Sequence, residues 1–180
     1  MARKIKTGDG VLMLSAGVAI SIVIMLISSI TGGLIQAVLL IAGMGILGYS
    51  SHALSHCIVS RILGVDTLYF YVGKSEMRKL KSPISGFISK YLFTIGTKLD
   101  RRKFATLTPG SRALIMGSGA IIPTALLALI LSLAFIFGFG VLSLVLGGLF
   151  FLSNLSTEIF LSVKVGDLKK MKDQLSASTL

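Results

Sequence analysis

The chain has 180 residues, of which 53% are hydrophobic and 14% charged, and its formal net charge at pH 7 is +11. This length predicts a single domain. A mean hydropathy of +0.89 excludes an ordinary soluble domain. The composition therefore predicts an integral membrane protein.

Four long apolar stretches carry almost no charge. Each reaches or exceeds the roughly 20 residues that a helix needs to cross a bilayer. We predict an all-α polytopic membrane protein, one membrane domain over residues 1–180, with transmembrane helices at about 11–30, 34–60, 113–137 and 141–163. The first stretch is longer than the apolar part of a signal peptide, so it is predicted to be retained.

The basic residues are confined to three segments of the chain. Three precede Val11, eleven lie from Arg61 to Arg112, and four lie from Lys164 to Lys172. With four spans these segments share one side, which the positive-inside rule makes the cytoplasm. Both termini are therefore predicted to be cytoplasmic, and the charge to attract anionic membrane lipid rather than nucleic acid.

Residues 61–112 are predicted to form a cytoplasmic, strand-rich loop. In "GVDTLYFYVGKS", β-branched and aromatic residues indicate a strand over Thr67–Val72, and "GFISKYLFTIG", between Gly86 and Gly96, is a second candidate. A small β hairpin or sheet at the membrane surface is expected between helices two and three; an interfacial loop without the second strand is the alternative. The tail, residues 164–180, is predicted to be a short surface helix followed by disorder.

Three ionisable side chains fall inside the predicted spans: His52, His56 and Glu158. The two histidines are four residues apart and so share one helical face. Counted from the span ends, they lie roughly 7–14 Å deep and Glu158 roughly 9 Å deep, on the same side. Intramembrane ionisable groups are costly and usually functional. Two imidazoles and a carboxylate form the ligand set of a catalytic Zn²⁺ site.

Other readings of these three residues stay open. Backbone or serine hydrogen bonds could satisfy uncharged histidines, and Glu158 could be protonated beside Asn154. A haem site fits poorly, because its axial ligands lie on opposite faces of the ring. A small metal or proton transporter is the remaining alternative, although few polar residues line the outer half of the spans.

The stretch His52-Ala53-Leu54-Ser55-His56 and the following "CIVSRILGVDTLYFYVGKS" carry a resemblance to a known family. The chain resembles the site-2 protease family of intramembrane zinc metalloproteases, whose signature is His-Glu-x-x-His in a transmembrane helix. The segment "SRALIMGSGAIIPTALLALILSLA" is similar to the start of the family's next core helix. The resemblance covers about residues 34–163 and implies cleavage of transmembrane substrates near the cytoplasmic face.

The family takes its third metal ligand from an Asn-containing segment that ends in Asp-Gly. The corresponding segment here is "FFLSNLSTEIF", in which Asn154 matches the family's asparagine but no Asp-Gly follows. Glu158 is predicted as the third ligand from its intramembrane position. Asp167 is the alternative if the last helix continues. Asn154 is expected to contact substrate or to hold the ligating carboxylate.

Ala53 stands where the family has its glutamate. That glutamate accepts a proton from the attacking water and passes it to the leaving amine, which a methyl group cannot do. The chain is therefore expected to bind zinc but to hydrolyse peptides feebly or not at all. A natural pseudoprotease that binds membrane partners and a Glu-to-Ala substitution made to inactivate the enzyme are the two explanations.

A transmembrane protein or peptide substrate must unwind before its backbone can be attacked. An edge strand could hold the unwound peptide by pairing with it. The predicted substrate-binding residues are those of the first strand, Thr67, Leu68, Tyr69, Phe70, Tyr71 and Val72.

Overall fold

The computed structural model describes residues 3–74 and 93–176. Within these ranges four helices are long and apolar enough to cross a membrane: Thr7–Ser29, Gly33–Ile62, Pro109–Ile136 and Val141–Phe160. The predicted membrane protein with four helical spans is thus confirmed. The first span begins four residues earlier than predicted, so that Asp9 lies in its first turn, where the helix dipole favours a carboxylate. The side on which the termini lie stays a prediction.

The elements follow one another in a simple up-and-down order. They are β1 (Arg3–Lys6), α1 (Thr7–Ser29), α2 (Gly33–Ile62), β2 (Thr67–Lys74), β3 (Phe93–Leu99), α3 (Arg101–Thr106), α4 (Pro109–Ile136), α5 (Val141–Thr157), a π-helical segment (Glu158–Ser162), α6 (Val163–Val165) and α7 (Asp167–Ser176). Helix α2 is central, because it packs against α1, α4 and α5.

The three strands form one antiparallel sheet in the order β1-β2-β3. The pairing of β2 with β3 agrees with the predicted sheet between helices two and three. Part of the second strand candidate, residues 86–92, lies outside the described residues. Strand β1 was not predicted, because a four-residue basic segment carries no strand pattern of its own and is extended only through pairing of Ile5 with Phe70 and its neighbours.

A fully buried phenylalanine fastens the sheet to the helices. Phe70 packs with Leu14, Ala53, Cys57 and Ile95. Burial of a phenylalanine side chain contributes roughly 1.5–3 kcal/mol, so this contact fixes where the sheet sits. The sheet therefore lies over the last turns of α2, at the same end as the two histidines.

A buried amide closes the opposite end of the bundle. Gln36 Oε1 accepts hydrogen bonds from the Gly140 amide at 2.9 Å and from Ser143 Oγ at 3.0 Å. Its backbone oxygen accepts one from Ser28 Oγ at 2.8 Å. These bonds tie α2 to the end of α1 and the start of α5, where an unpaired amide in hydrocarbon would be costly.

The predicted tail helix is present as α7, which packs against α4. The approach is close, since a methyl group on Gly117 of α4 would come within 2.5 Å of Met171 Sδ. Residues 177–180, predicted to be disordered, lie outside the described part of the chain. Helix α7 is therefore docked onto the bundle and carries its first residue, Asp167, toward α2.

Candidate metal centre

Two histidines of α2 face α4 and α7 near the sheet end of the bundle. Their positions, 52 and 56, are one helical turn apart, and their ring centroids are 5.3 Å apart in an edge-to-face arrangement. The His56 side chain is buried, whereas that of His52 is 39% exposed. The pair is thus open on the His52 side only.

The chain bends sharply after α5 and brings a carboxylate to these histidines. The π-helical segment Glu158–Ser162 is followed by the short helix α6 and by extended backbone at Gly166. Ser162 Oγ accepts a hydrogen bond from the Leu168 amide at 3.2 Å, which holds the start of α7 against the bend. π-helical turns are rare and often lie at functional sites. Here the turn places Asp167 beside α2.

One carboxylate oxygen of Asp167 lies close to both imidazole rings. Asp167 Oδ2 lies 3.0 Å from His56 Nε2 and 3.4 Å from His52 Nε2. Among the residues that the structure describes, these three form the group of His, Cys, Asp and Glu side chains that could hold a metal ion, with ligand atoms all within 4.8 Å of one another. The predicted histidine pair is therefore joined by Asp167.

Hydrogen bonding fixes which nitrogen of His56 faces the carboxylate. Nδ1 lies 2.7 Å from the Ile115 carbonyl oxygen, which can only accept a hydrogen bond. We therefore assign the proton to Nδ1, so that a neutral ring presents the Nε2 lone pair to Asp167. A lone pair facing a carboxylate requires a cation between them, either a second ring proton or a metal ion. A ring proton would link only one imidazole to the carboxylate, whereas a metal ion would bind the carboxylate and both imidazoles.

The two distances between the carboxylate and the imidazoles suit a tetrahedral metal ion. Ligand atoms about 2.0 Å from zinc lie about 3.3 Å from one another at tetrahedral angles, and Asp167 Oδ2 lies 3.0 Å and 3.4 Å from the two imidazole nitrogens. A methyl group on Gly119 would overlap His56 Nε2 and come within 2.6 Å of Asp167 Oδ2. The missing side chain at this position leaves the room in which an ion would be held.

We expect Gly119→Ala to weaken zinc binding by at least the 10–100-fold typical of a disturbed ligand surrounding. The added methyl group would collide with two of the three ligands. Zinc affinity would be measured by competition with a chelating dye. Gly148→Ala is the matched control, because nothing lies within 4 Å of the added methyl group there. Equal affinities of the two variants, both folded, would contradict this placement of the ion.

Several charges act on Asp167. Burial alone would raise the pKa of its carboxyl group, but close contact with His56 and the positive charges of Lys170 and of the two imidazoles when they are protonated outweigh burial and lower that pKa below its usual range. Lys170 Nζ lies 3.3 Å from the other carboxylate oxygen, Oδ1. The carboxylate is thus kept ionised, as a metal ligand must be.

Glu158, the predicted third ligand, lies outside this group of three. It opens the π-helical segment, nine residues before Asp167. The predicted depth of Glu158 requires the last span to continue as a straight helix. Because the chain instead bends at residues 158–166, Asp167 returns to the depth of the histidines. The geometry favours Asp167, the alternative that the sequence left open.

The other two predicted site residues, Ala53 and Asn154, lie on different helices and are not members of the group of three. Ala53 is fully buried and packs with Leu14 and Phe70 beneath the sheet. Asn154 is half-buried on α5, one turn before Glu158. The expected role of Asn154 stays a prediction.

The predicted substrate strand is not an edge strand, which corrects the sequence-based expectation. Tyr69–Val72 of β2 pair with β1 on one side, and Thr67 and Tyr69–Val72 pair with β3 on the other. Thr7 Oγ1 donates to the Thr67 and Leu68 carbonyl oxygens, beyond the end of β1. The backbone of β2 is thus already paired on both sides. The sequence missed this because β1 lies about 60 residues away along the chain.

Ser118, His56 and Asp167 also lie in the order of a hydrolytic triad. Ser118 Oγ lies 3.4 Å from His56 Nδ1, but it donates to the Ile115 carbonyl oxygen at 2.8 Å, which His56 Nδ1 approaches more closely. Ser118 is also buried. A nucleophile needs a base that accepts its proton and a path to substrate, and Ser118 has neither.

Comparisons with known proteins found no relative of this chain. A scan against protein-family models, a search of curated proteins and a search of solved structures each found no match for this chain. The function is therefore inferred from the residues of the site.

Proposed function

We propose that this chain is an intramembrane zinc metalloprotease of site-2 protease type, in a form that lacks the general base. The observation that carries this proposal is the approach of Asp167 Oδ2 to His52 Nε2 and His56 Nε2, inside a protein with four apolar spans. Two histidines and one carboxylate leave a fourth position open, as in hydrolytic zinc sites.

Each residue of the site has a definite task in this proposal. His52, His56 and Asp167 would hold the ion, and the Ile115 carbonyl keeps the His56 ring oriented through Nδ1. A zinc ion bound there would polarise the scissile carbonyl group and make water a nucleophile near neutral pH. The exposed side of His52 is the route by which a substrate segment would arrive. Because Ala53 cannot accept a proton, the attack of water would be slow or absent in this chain.

A catalytically silent member of the same family is the second candidate. The observation that favours it is the complete burial of Ala53 among Leu14, Cys57 and Phe70, where the cluster is filled by a methyl group. Such a protein would bind a transmembrane partner without cleaving it. The two candidates share the metal and differ in their response to a restored glutamate.

The first test is the zinc content of the detergent-purified protein. We expect about one zinc per chain, and at a free zinc concentration 100 times Kd a stabilisation of about 2.7 kcal/mol against unfolding, since the unfolded chain lacks the site. Chelation should reverse the stabilisation. A folded sample that takes up no zinc and shows no shift in Tm with zinc would overturn the proposal and leave a proton-handling or structural histidine pair.

A further inference from the structure

The two oxygens of the Asp167 carboxylate have different partners. Oδ2 lies 3.0 Å and 3.4 Å from the two imidazole nitrogens. Oδ1 lies 3.3 Å from Lys170 Nζ. An ionised carboxylate offers acceptor sites on both oxygens, so the lysine and the imidazoles contact different oxygens of the same carboxylate.

Helix α7 sets the position of this lysine. Lys170 is three residues after Asp167, a spacing that places two side chains side by side on a helix surface. The contact of Met171 with α4 at Gly117 holds the helix against the bundle. Helix α7 therefore carries both Asp167 and the ammonium group that contacts its Oδ1.

We infer that Lys170 is a positioning residue that restricts Asp167 to binding the metal through Oδ2 alone. The inference rests on the proposed zinc site and deepens it. If both oxygens bound the ion, they would fill the coordination position that a hydrolytic site leaves open for water. With its ammonium group on Oδ1, Lys170 holds the carboxylate in the orientation in which only Oδ2 reaches the ion. The coordination position for water then stays open.

If the Lys170 charge is removed, a positioning role and a simple charge effect predict changes of opposite sign in zinc affinity. Removing a positive charge near a cation site strengthens cation binding through Coulomb's law. Losing the group that orients a ligand weakens metal binding, typically by about 10–100-fold. The effect of removing the Lys170 charge on zinc affinity therefore separates the two.

The experiment compares three variants of the full-length, detergent-purified chain. Lys170→Met removes the ammonium group but keeps length and helix propensity. Lys170→Arg restores a donor to Oδ1, and Lys169→Met removes an exposed neighbouring charge. Zinc affinity is measured by competition with a chelating dye, and Co²⁺ is bound in place of zinc to report coordination number through its visible absorption.

We expect zinc binding about 10–100-fold weaker in Lys170→Met, near-normal in Lys170→Arg and unchanged in Lys169→Met. The Co²⁺ spectrum should shift toward higher coordination only in Lys170→Met. Equal or tighter zinc binding by Lys170→Met, with an unaltered Co²⁺ spectrum, would overturn the role of Lys170 and leave the zinc site intact. Absence of zinc binding by the unaltered chain would overturn both the site and this role. The Tm of the metal-free variants shows whether each has folded.

Discussion

Replacing Asp167 by asparagine should weaken zinc binding by more than about 100-fold, beyond the 10–100-fold expected for residues that only support a ligand. The substitution keeps the size of the side chain but removes the negative charge that faces both imidazoles at 3.0 Å and 3.4 Å. An amide oxygen is a poor ligand for zinc compared with a carboxylate. The remaining histidine pair would hold the ion loosely.

Glu158→Gln is the matched comparison, because it makes the same chemical change at the other acidic residue near the site. Glu158 lies outside the group formed by the two histidines and Asp167, so this variant should bind zinc almost normally. Zinc content after dialysis and affinity by dye competition would be measured for both. Loss of zinc from Glu158→Gln with retention by Asp167→Asn would return the third-ligand role to Glu158.

The second large effect is expected from Ala53→Glu. If the chain is a protease without its base, a carboxylate beside the first ligand should raise cleavage of a transmembrane substrate by about 10²–10⁴-fold, the usual contribution of general acid–base catalysis. The new side chain must extend out of the cluster of Leu14, Phe70 and Cys57 to reach the metal site. Overpacking at such a position typically costs about 1–3 kcal/mol.

Ala53→Gln carries the same steric load without the base and is therefore the control. Cleavage of a single-span reporter protein, reconstituted in liposomes with each variant and zinc, would be followed by gel and mass spectrometry. Activity in the glutamate variant alone would establish the protease. If both variants fold, bind zinc and stay inactive, the catalytically silent candidate replaces the protease.

The local sequence was sufficient for the spans and for two of the three residues of the metal group. Long uncharged stretches such as residues 34–60 predict helices by length and hydropathy alone, because a bilayer imposes both. The spacing of His52 and His56 puts them on one helical face without reference to the rest of the chain. Because they are ionisable residues within an apolar stretch, the sequence alone also made them candidates for function.

What the sequence could not determine depended on segments distant along the chain. The third member of the metal group follows from the bend at residues 158–166, which returns Asp167 to α2 and leaves Glu158 outside the group. The central place of β2 follows from pairing with β1, a strand that has no pattern of its own. Hydropathy and helical periodicity predict the spanning helices, because the bilayer and helix geometry act on each segment locally. Contacts between residues 60 or 111 positions apart form only when those helices and strands pack together.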